Sequence, residues 1–193
     1  ISSFYPEGTI VSTGLSKWCG AGGWRLGFFA IPEKLNKLKN SLKILCSESF
    51  TSVSAPIQYA AIEAYKGDHS SYLEKVKKIL FSTGTYVYEN LKSNTINVAK
   101  PEGGFYLFPE FSKAKFSSSS EMCQDILSKT GVALLPGSDF GLENKKMIAR
   151  LSYTDFDGDN FLKNTPGSKN LNTEDIKKYA PNIVDGVSKL KEW

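Results

Sequence analysis

From Ser70 to about Leu91 the chain repeats apolar or small residues every three or four positions: Tyr72, Val76, Ile79, Thr83, Val87 and Leu91. That interval is the signature of an α-helix with one buried face. It predicts a single helix of more than twenty residues, and it divides the chain into two parts of different texture. Ahead of it, residues 9–13 (TIVST) are β-branched and read as a buried strand running into a glycine-bearing turn at Gly14. Residues 24–31 (WRLGFFAI) read as a second strand. Pro32 then opens a helix with Leu35, Leu38, Leu42 and Leu45 on one face, and Pro56 opens another that Gly67 closes.

Beyond the long helix the elements become short and alternate. INVAKPEGGFYLFPEF reads as two strands around a Pro-Glu-Gly-Gly turn. SSSSEMCQDILSKTG reads as a helix capped by its serines and ended by Gly131. VALLPG and MIARLSY read as further strands, and DFDGDNFLKNTPGSKN as a polar loop. TEDIKKYA and a Pro181-initiated segment with Ile183, Val187 and Leu190 complete the chain as two helices. The whole is an α/β pattern without internal repeats.

With 40% hydrophobic and 12% aromatic residues, the composition supports a buried core. No apolar run is long enough to span a membrane, and ISSFYPEGTI lacks the basic and apolar regions of a signal peptide. The net charge of +4 comes from lysines spread over several segments. They read as solvated helix faces rather than the dense stripe of a nucleic-acid binder. Three irregularly spaced cysteines, Cys19, Cys46 and Cys123, argue against a disulfide framework and favour a reducing, cytoplasmic setting. With one histidine, His69, in a turn-like stretch that reads as surface, no metal site is expected.

Only two of the 24 basic residues are arginine, Arg25 and Arg150. Both lie in apolar, strand-like segments, GGWRLGFF and MIARLSY. A guanidinium offers a planar, always-charged fork for phosphate or carboxylate, which lysine cannot copy. Half-buried, it needs an anion. That anion is either a ligand or an internal Asp or Glu, and the residues alone leave both open. Lys17 sits just past a strand, in a glycine- and serine-rich turn beside Trp18. A lysine in a largely apolar setting can act as a nucleophile or Schiff-base former. Arg25 returns on the next strand, so a ligand with an aldehyde and a phosphate could use both. Pyridoxal phosphate is such a ligand.

Other motifs fail on inspection. GAGGWR has Arg25 where a dinucleotide fingerprint needs its last glycine. DFDGDN has Asn160 in place of a calcium loop's glycine and Pro166 in place of its final glutamate.

SKWCGAGGWRLGF, with Ser-Lys followed by Gly-X-Arg-X-Gly, resembles the cofactor-lysine signature of the fold-type I, class I/II aminotransferases, of which aspartate aminotransferase is one. PEGGFYLF, GVALLPGSDFG and IARLSYT resemble later stretches of the same family, in the same order. The resemblance implies that Lys17 forms the Schiff base with pyridoxal phosphate and shuttles the proton, that Arg25 and Ser16 bind the cofactor phosphate, and that Arg150 grips the substrate α-carboxylate. It implies transamination between an L-amino acid and a 2-oxo acid, in the cytoplasm, by a homodimer without nucleic-acid or membrane partners. It further implies that residues 1–67 are the end of the large cofactor-binding domain and 68–193 the small α/β domain, with the long helix between domains.

Two departures stand out. Many members carry serine three residues before the lysine, where this chain has Gly14. Only sixteen residues precede Lys17, whereas the family places its ring-stacking aromatic and its pyridine-nitrogen aspartate before the lysine. The chain therefore reads as the C-terminal half of such an enzyme, with little activity alone. The alternatives are a non-catalytic, partner-binding domain and a pyridoxal-phosphate lyase of the same fold. Trp18 and Trp24 read as core packing, Cys19 as a small buried residue, and Tyr106 as either a substrate-site or a buried strand residue.

Overall fold

The computed structural model describes residues 1–165 and 171–193. It divides into two compact units, Ile1–His69 and Ser70–Trp193.

In the first unit, β1 (Val11–Gly14) and β2 (Gly27–Ala30) form an antiparallel hairpin in which Gly14 faces Gly27. A Cβ on Gly14 would stand 2.9 Å from the Leu26 carbonyl oxygen. The strands therefore approach too closely for a side chain at this position. β1 is shorter than the β-branched run, and its residues are exposed or half-buried rather than buried. β-branching reports strand propensity, not cover. The second strand begins only at Gly27: Gly22–Trp24 is a 3-10 turn, and Arg25 is left-handed at φ 55°.

The loop between the strands opens with α1 (Leu15–Trp18), a single turn. Leu15 is its buried pin at 1% exposure. The Leu15 N–H donates to the Leu26 carbonyl, and the Leu15 carbonyl accepts from the Ala21 N–H and the Cys19 thiol. α2 (Asn36–Ser49) and α3 (Ala55–Lys66) follow, α3 with proline in its first turn and Gly67 at its cap. His69 is half-buried rather than on the surface. Its Nε2–H donates to the Ala64 carbonyl at 2.9 Å, and its ring lies 5.6 Å from that of Trp18. Trp18 also meets Tyr65, whereas Trp24 is 51% exposed and packs in no core.

The second unit begins with α4 (Ser70–Leu91), the long helix the spacing predicts, with Ile79, Thr83, Val87 and Leu91 buried. Its short strands are β3 (Ile96–Asn97), β4 (Tyr106–Leu107), β5 (Glu110–Phe111), β6 (Leu135–Pro136) and β7 (Ala149–Ser152). The strands flanking the Pro-Glu-Gly-Gly turn do not pair with each other. β3 pairs with β5, while β7 lies between β4 and β6, all antiparallel. Around them lie α5 (Ser119–Thr130), α6 (Gly158–Asn164), α7 (Thr173–Tyr179) and α8 (Pro181–Glu192).

α5 has the anticipated caps, Ser118 accepting from the Glu121 N–H and Gly131 in left-handed conformation. α6 replaces part of the expected polar loop, because the Asp157 side chain caps the Asn160 N–H and Phe161 is fully buried. Residues 166–170 of that loop lie outside the described residues, as does the Pro166 of the rejected calcium motif.

One close contact organises this core. A Cβ on Gly84, midway along α4, would come within 2.9 Å of the Tyr153 ring. Glycine lets that ring press onto the helix, and its hydroxyl donates to the Gly104 carbonyl at 3.0 Å. Burial pushes the Tyr153 phenol pKa upward.

Surface lysines pair along helices, as Lys129 with Asp125 and Lys189 with Asp185. Among the described residues no helix is long and apolar enough to cross a membrane.

Candidate active site

The four candidate residues fall in both units. Ser16, Lys17 and Arg25 belong to the first, on the loop that closes between Gly14 and Gly27. Arg150 belongs to the second, on β7.

Lys17 stands on α1, three residues past the glycine pair, with an exposed side chain. Arg25 is exposed too, and it lies in the turn rather than in a strand. Its backbone N–H and its Nη1 both donate to the Gly22 carbonyl, at 3.4 and 3.0 Å. A methyl group at Gly22 would lie 3.9 Å from the Ser16 Cβ. Gly22 thus lies near Ser16 and accepts from Arg25. Among the described residues no carboxylate pairs with Arg25. A left-handed arginine is uncommon outside turns. Here it turns the chain from the 3-10 segment into β2.

In the second unit the strand alternation decides which way Arg150 faces. Ala149, Leu151 and Tyr153 are buried, so Arg150 and Ser152 lie on the other face. Tyr106 pairs with Ser152 in register, and Leu135 pairs with Arg150. The Arg150 guanidinium carbon lies 4.3 Å from the centroid of the Tyr106 ring and 4.6 Å from that of Phe140. It too has no carboxylate partner among the described residues.

Phe140 was not singled out from the sequence. It ends the 3-10 turn Gly137–Phe140, which a left-handed Gly141 closes. A Cβ at Gly137 would stand 2.8 Å from the Ile148 carbonyl, so the glycine lets this turn press against the chain just before β7. The sequence signal was the pair of glycines bracketing SDF. Tyr106 is half-buried on β4, consistent with a site-lining strand residue.

Cys123 is buried, and burial lifts its thiol to about 11, with Asp139 adding to the effect. It is held neutral, and so inert as a nucleophile. Among the described residues no group of three or more His, Cys, Asp or Glu side chains could hold a metal ion.

In the first unit a lysine and an arginine without a carboxylate partner among the described residues share one tight loop, and in the second an arginine likewise without one stands on a strand; each suits an anionic group. Comparison with known proteins gives this arrangement its class. Residues 3–161 match the family model of class I and II aminotransferases, and the chain belongs to that family. It is 36% identical over 158 residues to an aspartate aminotransferase of Bacillus sp. (strain YM-2), covering 79% of this chain and 38% of the relative. It is 33% identical over 159 residues to an asparagine–oxo-acid transaminase of Streptococcus mutans, covering 79% and 38%. The chain thus spans about two fifths of the length of these curated relatives.

Among solved structures, an alanine aminotransferase from Pyrococcus furiosus superposes with a TM-score of 0.71 at 28% identity, over 95% of this chain and 41% of its own. An aspartate aminotransferase from Thermus thermophilus, at 21% identity, shares the fold, with a TM-score of 0.72 over 99% of this chain and 42% of its own. The α/β architecture expected from the sequence is that of the aminotransferase fold.

Proposed function

We propose that this chain carries the lysine, phosphate and carboxylate sites of a pyridoxal-phosphate-dependent transaminase, which moves an amino group from an L-amino acid to a 2-oxo acid. Within a chain of this family, the observation that carries the reading is the loop at residues 15–26. It holds Lys17 and Ser16, and it holds Arg25, with no carboxylate partner among the described residues.

These groups fit the cofactor's two ends. An amine suits its aldehyde, and a guanidinium with a neighbouring hydroxyl suits its phosphate. When bound, pyridoxal phosphate supplies an electron sink for the pair left on the substrate α-carbon. Lys17 Nζ would hold the cofactor's aldehyde end and, once the substrate amine had displaced it, would take the α-carbon proton and pass it to the cofactor carbon that had carried the aldehyde. Arg25 and Ser16 anchor the phosphate, which fixes the distance from anchor to amine. Arg150 binds the α-carboxylate and so orients the bond that loses its proton.

In this reading residues 1–67 belong to a cofactor-binding domain and 68–193 to a smaller substrate-side domain. The intact enzyme works in the cytoplasm as a homodimer, and this stretch alone has little activity.

The test is direct. Pyridoxal phosphate is added to the chain, the adduct is reduced with borohydride, and the labelled peptide is mapped. Stoichiometric label on Lys17, lost in Arg25→Ala, is the expected result. Label spread across many of the 22 lysines would overturn the assignment.

A further inference from the structure

Arg150 touches two rings for which the reaction above has no use. Its guanidinium carbon lies 4.3 Å from the Tyr106 centroid and 4.6 Å from the Phe140 centroid. Each contact is a cation–π attraction, stronger where water is partly excluded, and Arg150 is half-buried. We propose that Tyr106 and Phe140 are positioning residues that hold the Arg150 guanidinium ready for a substrate carboxylate. This rests on the assignment of Arg150 to that carboxylate.

An arginine on an open strand face sweeps many rotamers, and freezing them on binding costs side-chain entropy. Resting against two rings, the guanidinium has lost much of that freedom before an anion arrives. The N–H groups not turned to a ring remain for the carboxylate. Affinity then rises through preorganisation rather than through a new contact.

The rings are themselves held by the fold. Tyr106 follows the Gly104 turn, which the Tyr153 hydroxyl ties down at 3.0 Å, and it is in register with Ser152. Phe140 is fixed by the turn at Gly137 and Gly141, and its ring meets that of Phe108 edge-on at 5.5 Å. The sequence places these parts far apart: a Pro-Glu-Gly-Gly turn, a Gly-Ser-Asp-Phe-Gly turn and a strand. Their convergence on one guanidinium goes beyond what packing of a surface arginine requires.

The chain has only two arginines, so its arginine Nε–Hε spectrum holds two signals. Pyruvate is titrated with pyridoxal phosphate added. In the wild-type chain the Arg150 signals should lie upfield through ring currents and shift as pyruvate binds. Phe140→Leu keeps apolar volume at a partly exposed site. It should return the Arg150 signals toward those of Arg25 and weaken pyruvate about tenfold. Phe140→Tyr, which keeps the ring, should preserve both properties. Amide signals of the buried Leu107 and Leu151 report that each variant is folded. Unchanged pyruvate affinity in Phe140→Leu would overturn the positioning role alone. A wild-type Arg150 that never responds to pyruvate would remove the carboxylate assignment, and this inference with it.

Discussion

Ile1–His69 and Ser70–Trp193 are built by different means. Among the described residues, the first unit buries only Leu15 and Ala61 among its apolar side chains, and Ile44, Leu45 and Phe29 are at least 60% exposed. The second holds one contiguous core that gathers residues from α4 through α8 and from β3, β4, β5 and β7. Backbone pairing, glycine contacts and a single pin at Leu15 shape the first, while burial shapes the second. The loop's local geometry is thus set by hydrogen bonds and close glycine contacts, whatever covers the exposed faces of the hairpin.

The contrast can be broken most sharply in the second unit. Phe161 is fully buried against Phe156 and Tyr179. Phe161→Ala should cost about 3–5 kcal/mol, read as lost amide protection in α5 and α8. A cost below about 1 kcal/mol would mean that the core is not what holds this unit.

A smaller effect tests the cap of α5. Ser118→Ala should cost about 1 kcal/mol. The Glu121 carboxylate beside it is held below its usual range, chiefly by the Ser117 hydroxyl and then by the Ser117 backbone N–H. Its folded pKa is therefore lower than its unfolded one. The contribution is complete above the ordinary glutamate range of about 4.3 and is lost as pH falls through the lower folded value. Following the Ser117 amide shift against pH should show this step, and Glu121→Gln should abolish it.

The least effect is expected in the first unit. Phe29 is 61% exposed, so Phe29→Ser should change hairpin stability by no more than about 0.5 kcal/mol. A loss above about 2 kcal/mol, read from amide exchange in β1, would show that cover rather than pairing holds the strands.

Helices were legible where spacing and caps agreed. α4 follows from its apolar repeat, and α5 from the Ser118 and Gly131 signals at its ends. α6 was hidden because Asp157 and Asn160, which cap it, also read as loop residues, and one buried Phe161 gives no period. Strand partners were not legible. β4 pairs with β7 across intervening elements, and two-residue strands carry no register signal of their own.

At the candidate site, the lysine and the rarity of arginine singled out residues, and the structure places them on a tight loop and a strand. The conformations did not follow. Nothing in GGWRLG announces a left-handed Arg25, which depends on the turn closing onto the Gly22 carbonyl. The partnership of Arg150 with Phe140 needs a fold to bring distant turns together.

The pairing of Gly14 with Gly27 turns the intervening loop into a ruler. Lys17 is counted from one end and Arg25 from the other, so a single inserted or deleted residue would shift the amine relative to the guanidinium without touching either. Substitutions within the loop are graded changes, whereas changes in its length are all-or-none. Homologous loops grafted onto this hairpin should therefore be interchangeable in composition but not in count.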